Sequence, residues 1–426
     1  MKILVVGRGG REHTIVRKIA QSPLIERIYW VPGNPGISQI ADCRSISLDN
    51  NFVELADFVE AESIDLTVVG PEDPLANGVV DVFRERGLRA FGPDRKAAII
   101  EASKDFAKQL MIRNNIPTAV HRTFDAPEAA IAYIKETNAP VFVKADGLAR
   151  GRGAIPGRTV DEAIQAVQGL MVDRIFGNAG DKVVIEELLI GEEATFTVLT
   201  DGTYCLPLVS SQDHKPVWDG DQGKNTGGLG AVSPAPVITP EMRERVMDTI
   251  VYPTIREMQA LGRTFKGVLY VGLMITDAGP KVVEFNCRFG DPETQVLLPR
   301  MASDLVPLLE ACIDGTLEGV ACEWKPEPAV CVVMASGGYP DTYETGKIIT
   351  GLDRAEALGG VTVFHGATKV QNGDIVTDGG RVLGVTALES DIRSAIGSAY
   401  RGVAEIHFDQ AHFRTDIGRR ALDREQ

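Results

Sequence analysis

The fold is decided by residues 2–13, which read KILVVGRGGREH. Four apolar residues, Ile3–Val6, predict a buried strand that ends at the glycine-rich turn Gly7–Gly10. Apolar residues at Ile15 and Ile19 then follow the spacing of a helix. A strand, a glycine turn and a helix in this order are the first unit of a doubly wound parallel α/β sheet.

The same pattern continues outward from this unit. Apolar runs that end near turns predict further strands at Ile28–Val31, Leu66–Val69 and Arg89–Phe91. In a doubly wound sheet the loops after the strands line the ligand crevice, so we expect three glycine-containing loops to face one site. These loops are Gly7–Gly10, Pro32–Gly36 and Gly70–Pro74, within a predicted first domain of residues 1–101.

After residue 101 the sequence changes to a mixture of helical and strand patterns, which predicts a larger α+β domain over residues 102–324. Within it, Val268–Ile275 and Lys281–Phe285 are joined by a good turn sequence and predict a hairpin. A polar, proline-containing stretch at residues 323–328 indicates a boundary. A small C-terminal α+β domain is expected over residues 325–426.

The composition is that of a soluble globular protein of several domains. The 426 residues include 44 Lys and Arg against 59 Asp and Glu, a formal net charge of −15. A chain this acidic is a poor general binder of nucleic acid or anionic membrane, because both need basic patches. The first apolar run is too short for a signal peptide, and no run is long enough to span a bilayer. The six cysteines lack CxxC spacing, which disfavours a zinc site or disulfide framework and indicates a cytoplasmic protein.

Two glycine-rich segments are candidates for anion binding. The turn Gly7–Gly10 departs from the dinucleotide fingerprint, because Glu12 stands where its last glycine is needed. It can hold another anionic ligand at the helix N-terminus, or it can serve only to pack strand against helix. Residues 144–153, KADGLARGRG, combine three glycines with basic residues and resemble a phosphate cradle, although a flexible hairpin turn looks similar. The spacing of Lys104 from other residues does not distinguish it from a solvated surface lysine.

Two further segments are dense in polar groups. Residues 186–193, EELLIGEE, place four carboxylates at a strand end, where they can form a solvated rim or bind hydroxyls and metal. Residues 212–215 and 221–230 form a loop rich in hydrogen-bond donors and glycine. Such loops are uncommon inside compact domains unless they bind something.

The run EFNCRFGDPETQ, residues 284–295, is the most informative for chemistry. If its first part is extended, Glu284, Asn286 and Arg288 share one face, because side chains alternate along a strand. A carboxylate beside an amide oxygen suits Mg²⁺, which uses one or two carboxylates together with substrate phosphates. Arg288 beside them can hold an anionic group in fork geometry.

Together these segments resemble the ATP-grasp ligases, and more closely the phosphoribosylamine–glycine ligases, also called glycinamide ribonucleotide synthetases. The resemblance covers essentially the whole chain, and the segments RFGDPE and NTGG are its most specific parts. The matching segments are Gly9–His13, Gly70–Glu72, Lys144–Ala149, Gln212–Lys215, Asn225–Gly228, Phe285–Gln295 and Phe413–Gly418.

The resemblance implies a fold, a reaction and a set of site residues. The fold is a pre-ATP-grasp substrate domain, an ATP-grasp domain with a mobile lid at about residues 117–190, and the C-terminal domain. The reaction joins glycine to 5-phospho-D-ribosylamine at the expense of ATP, through a glycyl phosphate, in purine biosynthesis. Residues implied for ATP are Lys104, Lys144, Gly151, Arg152, Gly153, Glu186, Glu187, Leu188 and Glu193; those for Mg²⁺ or Mn²⁺ are Glu284 and Asn286. Residues implied for the substrates are Gly9, Gly10, Pro71, Glu72, Asp213, Lys215, Asn225, Thr226, Gly227, Gly228 and Arg288, of which Asp213, Lys215 and Arg288, with Lys144, are the expected catalytic residues.

Four positions depart from the family pattern and bear on ATP affinity. They are Arg150, Arg152, Lys224 and Leu229. Three alternatives stay open: an ATP-grasp ligase with a different carboxylate and amine, a nicotinamide oxidoreductase, which Glu12 disfavours, and a nucleotide-binding regulatory protein without turnover. The expected partners are small molecules, with neither nucleic acid nor membrane, and the expected state is a monomer or small homo-oligomer.

Overall fold

The computed structural model describes residues 1–38, 40–48, 50–149 and 151–424, so Arg150 lies outside the described residues. The N-terminal unit contains the predicted parallel sheet, and the strands predicted from the apolar runs are confirmed. A two-residue strand at one edge was not predicted, because it is too short to show a pattern. In spatial order the five strands are Asp42–Cys43, Arg27–Pro32, Lys2–Gly7, Leu66–Val69 and Ala90–Phe91.

The helices of this unit connect its parallel strands. They are Gly10–Ile19, Val53–Glu62, Glu72–Ala76, Val79–Glu85 and Arg95–Ala102, with 3-10 turns at Pro35–Ile37 and Asn50–Phe52. Two of the strands, Lys2–Gly7 and Leu66–Val69, are adjacent and parallel. The loops that follow them therefore lie at the same edge of the sheet, as the doubly wound fold requires.

The lid region forms a second sheet with its own hydrophobic core. Four antiparallel strands lie in the order His121–Phe124, Val183–Glu187, Val141–Ala145 and Ala154–Gly157. The helices Pro127–Thr137 and Val160–Val167, a π turn at Gln168–Val172 and a 3-10 turn at Gly177–Gly180 accompany them. The apolar side chains of these elements form a cluster of their own, as expected for a subdomain with its own core.

The central sheet carries the candidate chemistry. Its antiparallel strands lie in the order Cys205–Pro207, Glu192–Thr200, Gly267–Thr276 and Gly279–Asn286. The last two form the predicted hairpin, with a register shift between Gly272 and Leu273. The surrounding helices are Lys104–Arg113, Pro240–Val246, Tyr252–Ala260, Thr294–Leu297 and Leu305–Asp314, with a π turn at Met247–Val251 and a 3-10 turn at Leu298–Arg300.

The C-terminal sheet includes strands from both sides of the boundary predicted near residue 325. Its strands are Gln212–Asp213, Gly230–Ser233, Ala329–Ser336, Arg381–Leu388 and Val361–His365 in spatial order, and Ala411–His412 pairs with Ala329–Ser336. Antiparallel pairing of Gly230–Ser233 with Ala329–Ser336 joins the two parts of the chain in one sheet. The helices here are Leu352–Glu356, Ile392–Glu405 and Arg419–Arg424.

Two separate hairpins complete the described structure. One pairs Pro216–Trp218 with Gln222–Asn225 across a 3-10 turn at Asp219–Asp221, and the other pairs Thr368–Gln371 with Asp374–Thr377. Among the described residues, none of the helices has the length and apolar character needed to cross a membrane.

Candidate active site

A cavity of about 760 Å³ brings together loops of the first two parts of the chain, and Arg381 of the third part also lines it. The glycine turn of the first sheet, the lid loop, the end of the central hairpin and the loop near residue 225 all contribute to its wall. Most of the residues predicted from the sequence line it. They are Gly9, Pro71, Glu72, Lys104, Lys144, Gly151, Gly153, Glu186, Glu187, Glu193, Asp213, Lys215, Asn225, Thr226, Gly227, Glu284, Asn286 and Arg288.

Four predicted residues lie beside this cavity and not on its wall. Gly10 lines a neighbouring cavity of about 330 Å³. The guanidinium carbon of Arg152 lies 5.9 Å from the centre of the Phe176 ring, so this side chain packs on the lid. Leu188 lies between two lining residues. Gly228 has a φ of +109° and approaches the Pro292 ring so closely that a Cβ would lie 2.6 Å from its Cδ, which explains a glycine there.

The carboxylate of Glu12 packs against the glycine turn Gly7–Gly10. Its Oε2 accepts a hydrogen bond of 2.7 Å from the amide of Gly9, and its Oε1 accepts one of 2.5 Å from Nε of Arg11. A Cβ on Gly70 would lie 2.2 Å from Oε1 of Glu12. The residue that breaks the dinucleotide fingerprint therefore occupies the space between the first and third predicted loops and holds the turn in place.

A lysine that the sequence analysis missed joins two predicted residues. The Glu186 Oε2 atom lies 3.0 Å from the Nζ atoms of both Lys144 and Lys108. Burial alone would raise the pKa of Glu186, but these two ammonium groups hold it below its ordinary value. Burial lowers the pKa of Lys108 to about 8 in spite of this carboxylate. Lys108 lies one helical turn after Lys104, and this i, i+4 spacing was the signal that could have found it.

Glu284 faces the ammonium groups of three lysines. Its Oε1 atom lies 3.6 Å from Nζ of Lys215. Burial alone would raise the pKa of Glu284, but Lys215, Lys144 and Lys104 bring it to about 2. Glu284 therefore carries its negative charge throughout the physiological range.

Burial acts differently on the groups around this carboxylate. It lowers the pKa of Lys104, whose nearest hydrogen-bond acceptor, the carbonyl of Gly147, lies 3.5 Å away. Lys215 is the opposite case, because Glu193 and Asp213 outweigh burial and raise its pKa well above the ordinary value. Burial raises the pKa of Asp213. Neighbouring carboxylates thus stabilise the charge of Lys215, whereas burial disfavours the charged forms of Lys104 and Asp213.

Glu284 and Asn286 fit the predicted role of metal ligands. Both lie at the end of the strand Gly279–Asn286 and line the same cavity. Carboxylate and amide oxygens are ligands that Mg²⁺ accepts. Within the described ranges the chain offers no cluster of three or more His, Cys, Asp or Glu suited to a metal. A cation held by this pair would therefore complete its shell with substrate oxygens and water, as Mg²⁺ commonly does.

Arg288 is more fully engaged than the sequence analysis expected. Its Nε donates a hydrogen bond of 3.2 Å to Glu72, and its Nη2 lies 3.1 Å from Oε1 of Glu101. The same Nη2 donates to Oδ1 of Asn286 at 3.3 Å, and Nη1 donates to the carbonyl of Phe289 at 3.2 Å. The expected free fork is thus occupied by protein groups. Glu101 was missed because it precedes the ATP-grasp segment and belongs to no motif.

A second arginine, Arg381, was also missed. Its Nη1 donates to the carbonyls of Gly227 at 2.7 Å and Asp291 at 2.6 Å, and its Nη2 lies 3.4 Å from the Asp291 carboxylate. It therefore ties the loop Asn225–Gly228 to the turn after Arg288. Arg381 begins a strand of the C-terminal sheet and carries no local motif, so nothing in the sequence pointed to it.

Comparison with known proteins agrees with this geometry along the whole chain. The model of the phosphoribosylglycinamide synthetase N domain matches residues 1–101, that of its ATP-grasp (A) domain matches residues 102–294, and that of its C domain matches residues 329–420. The phosphoribosylamine–glycine ligase of Pseudomonas aeruginosa is 50% identical, with 100% of this chain and 99% of that protein covered. The ligase of the same name from Escherichia coli K12 is 49% identical, with both chains fully covered.

Solved structures give the same result. The crystal structure of phosphoribosylamine–glycine ligase from Thermotoga maritima has a TM-score of 0.83 and 29% identity, covering 98% of this chain and all of that one. The biotin carboxylase domain of Hydrogenobacter thermophilus 2-oxoglutarate carboxylase, solved with MgADP, has a TM-score of 0.73 at 16% identity, covering 97% of this chain and 91% of that one, which shows a shared fold alone. The chain therefore belongs to the phosphoribosylglycinamide synthetase family of ATP-grasp ligases.

Proposed function

We propose that this chain uses ATP to join glycine to 5-phospho-D-ribosylamine, giving N1-(5-phospho-D-ribosyl)glycinamide, ADP and phosphate in purine biosynthesis. The observation that carries the proposal is the single cavity lined by Lys104, Lys144, Glu284, Asn286 and the loop Asn225–Gly227. Phosphate-binding, metal-binding and substrate-binding groups thus converge where a phosphoryl group can pass from one substrate to another.

The nucleotide end of the cavity lies between the lid and the central sheet. Glu186, Glu187 and Glu193 line this end. In this proposal main-chain groups of Glu186–Leu188 read the edge of adenine, and Glu193 binds ribose hydroxyls. Lys104, Lys144 and the lid glycines Gly151 and Gly153 face the space for the phosphates. Closure of the lid over ATP would add Arg152 and exclude water from the transferring phosphoryl group.

The reaction needs charge neutralisation more than a covalent nucleophile. One carboxylate oxygen of glycine attacks the terminal phosphorus of ATP, ADP leaves, and glycyl phosphate forms. The amine of phosphoribosylamine then attacks the glycyl carbonyl carbon, and phosphate leaves as the C–N bond forms. Lys144 and Lys215, which line this space, are placed to offset the phosphoryl charge as it moves.

The pair Glu284 and Asn286 would hold Mg²⁺ at the phosphates. When bound, the cation would lower the repulsion between the phosphate oxygens and the attacking carboxylate. The Nζ atom of Lys215 lies 3.6 Å from a carboxylate oxygen of Glu284 and of Glu193, and its positive charge offsets the repulsion between these two carboxylates. Use of Mn²⁺, a cytoplasmic location, the absence of nucleic-acid partners and the oligomeric state stay predictions.

The phosphoribosylamine end is formed by the first and second parts of the chain. Gly9, Pro71 and Glu72 lie on one side of it, and Asn225–Gly227 on the other. Arg288, predicted to bind the ribosyl phosphate, would have to exchange Glu72 or Glu101 for the phosphate oxygens. The alternative function is ligation of a different carboxylate and amine by the same ATP-grasp site. Substrate specificity distinguishes it from ligation of glycine to phosphoribosylamine.

ADP release should be measured with single amino acids in turn, each with and without phosphoribosylamine. We expect rapid ADP formation only when glycine and phosphoribosylamine are both present, with the glycinamide product formed in equal amount. Turnover with another amino acid or amine in place of either substrate would instead support the alternative. The lack of any ADP formation with glycine and phosphoribosylamine would contradict the proposed function.

A further inference from the structure

The hairpin of residues 216–225 connects two segments that we assign to substrate binding. At its base, the carbonyl of Lys215 accepts hydrogen bonds from the amide of Thr226 at 2.8 Å and from its hydroxyl at 2.7 Å. The first strand of the hairpin therefore begins next to Asp213 and Lys215, and the second ends at Asn225, which lines the same cavity. The two strands of the hairpin form a sheet of their own, so the surrounding contacts must fix its direction.

His412, Arg420 and Asp341 contact the hairpin. Most of the contacts at its base and tip come from the C-terminal segment Phe413–Gly418, a motif to which the reaction gives no role. The Arg414 side chain is only 1% exposed, and its Nη1 donates hydrogen bonds of 3.1 Å to the carbonyl of Pro216 and to Oδ1 of Asp221. Its Nε and Nη2 donate to the two carboxylate oxygens of Asp416, each at 2.8 Å. Arg414 thus links the base and the tip of the hairpin to its own chain segment.

Two more contacts hold the tip of the hairpin from outside. The Asp416 carboxylate accepts a hydrogen bond of 2.8 Å from the amide of Gly220, and Oδ1 of Asp219 accepts one of 2.8 Å from the amide of Thr415. We call Asp219, Asp221, Arg414, Thr415 and Asp416 the Arg414 cluster. Within it the buried guanidinium of Arg414 contacts the carboxylates of Asp221 and Asp416, and its bidentate pairing with Asp416 fixes orientation as well as distance.

His214 connects this cluster to the cavity through the chain itself. Asp213 and Lys215 line the cavity, whereas His214 between them is buried away from it, as the alternation of an extended segment requires. Burial, followed by the charges of Arg414 and Arg420, lowers the pKa of His214 to about 4. A neutral ring therefore packs near the cluster, on the opposite side of the segment from the two cavity residues.

We propose that the Arg414 cluster is a positioning device for the reaction: it holds the hairpin so that Asp213, Lys215 and Asn225–Gly227 keep the geometry that binds phosphoribosylamine and glycine. This inference rests on the proposed function of these residues. The ATP-binding lysines Lys104 and Lys144 belong to other elements and touch no member of the cluster among the described contacts. A defect in the cluster therefore raises KM for the two substrates of ligation and leaves KM for ATP nearly unchanged.

Three variants at two positions test this, because Arg414 is buried and its replacement disturbs packing. In Arg414→Lys the fork is lost, and the charge is kept. Asp219→Ala removes only the exposed acceptor of Thr415, and Asp219→Asn keeps one oxygen at that place. We expect KM for phosphoribosylamine to rise about fivefold or more in Asp219→Ala and further in Arg414→Lys, since small displacements of binding groups cost up to about a hundredfold. Asp219→Asn should lie between Asp219→Ala and the unaltered protein.

The matched control is Arg354→Gln, which breaks an exposed ion pair with Glu405 in the same C-terminal domain, at 2.8 Å. It should leave all three KM values within about twofold, as is usual for surface pairs. Hydrogen exchange without substrates should quicken at the amides of residues 217–224 in Asp219→Ala and not in the control.

The outcomes separate this proposal from the proposed function. An unaltered protein that forms no ADP with glycine and phosphoribosylamine would overturn both. An active unaltered protein whose Asp219→Ala variant keeps its KM values and its exchange rates would overturn the positioning role alone. Equal increases in KM for ATP and for phosphoribosylamine would also overturn it, because they indicate a general loss of structure. If Arg414→Lys does not fold, the Asp219 series still decides.

Discussion

The two ends of the cavity hold their charges in different ways. At the nucleotide end the cations are lysines. The Nζ atom of Lys104 lies 3.5 Å from the carbonyl of Gly147, and that of Lys144 lies 3.0 Å from Oε2 of Glu186 and 3.0 Å from the carbonyl of Val283. At the phosphoribosylamine end the cations are arginines, and protein groups already occupy them. Arg288 contacts Glu72 and Glu101, and Arg381 contacts Asp291 and two carbonyls.

This difference agrees with the role that we propose for each end of the cavity. An ammonium group is a point charge on a flexible stem, so it can follow a phosphoryl group that moves during the reaction. A guanidinium with its donors in fixed directions orders neighbouring loops instead. The lysine end is therefore suited to neutralising charge, and the arginine end to holding a binding site in shape. The predictions below test whether function divides along the same line.

The largest effect is expected at the nucleotide end, in Glu284→Gln. The change keeps the size of the side chain and removes the negative charge that a metal ligand needs. We expect kcat to fall at least about tenfold, which corresponds to ~1.4 kcal/mol of transition-state stabilisation. Higher Mg²⁺ or Mn²⁺ should recover part of the loss, because mass action can refill a weakened site.

Glu318→Gln is the matched control, since Glu318 is exposed and does not line the cavity. It should show the kcat and the Mg²⁺ dependence of the unaltered protein. A Glu284→Gln variant with normal turnover and normal Mg²⁺ dependence would place the metal elsewhere and remove the proposed division between the two ends.

At the arginine end the next effect is expected in the stability of the folded protein. Burial alone would raise the pKa of Glu72, but Arg288 and Arg11 bring it to about 2 from an ordinary 4.5. A carboxyl with a lowered pKa in the folded state stabilises the protein above about pH 4.5, and this contribution is lost as the pH falls towards 2. Between pH 7 and 3.5 the unaltered protein should therefore lose about 1.4 kcal/mol more unfolding free energy than Glu72→Gln.

Urea unfolding at a series of pH values measures this difference, with the exposed Glu54→Gln as control. The control should keep the full pH dependence of the unaltered protein. Parallel curves for Glu72→Gln and the unaltered protein would mean that Arg288 does not hold Glu72 in the folded state, and the arginine end would lose its proposed structural role.

The lysine end could be predicted from the sequence far better than the arginine end, for a physical reason. Glu284 and Asn286 are two residues apart on the strand Gly279–Asn286, so the strand period alone places their side chains on one face. Lys144 follows directly on an apolar strand and leads into the glycine-rich loop. Short-range patterns of this kind can be recognised in a sequence because their residues belong to a single strand and the loop that follows it.

Partners that meet only through the fold left no such pattern. Glu101 reaches Arg288 from a helix 187 positions earlier, and Arg381 reaches Asp291 from a strand 90 positions later. The C-terminal sheet likewise includes Gly230–Ser233, which precedes the predicted boundary. This strand pairs with Ala329–Ser336, although the two are far apart in the sequence. Neither periodicity nor motif spacing encodes such pairings.

Arg288→Lys sharpens the comparison by placing a lysine at the arginine end. One ammonium group cannot reach Glu72, Glu101 and Asn286 together in the directions that the guanidinium provides. We expect KM for phosphoribosylamine to rise about fivefold, or ~1 kcal/mol of binding free energy. KM for ATP should change by less than about twofold, because the charge near the phosphates is kept. Steady-state kinetics with each substrate varied in turn would check this, and equal rises in both KM values would contradict the division.

The smallest effect concerns the lid, which belongs to the nucleotide end alone. Its loop is held unevenly: the amide of Gly147 already donates to the carbonyl of Ala179 at 3.1 Å, whereas Gly151 is exposed. ATP with Mg²⁺ should therefore slow hydrogen exchange about threefold or more at Gly151 and Gly153 through lid closure, and hardly at Gly147. Phosphoribosylamine alone should slow neither glycine, because its end of the cavity is built from other loops. Slower exchange at Gly151 with phosphoribosylamine and no ATP would show that the two ends are coupled. Unchanged exchange with ATP and Mg²⁺ would contradict the binding of ATP beneath the lid.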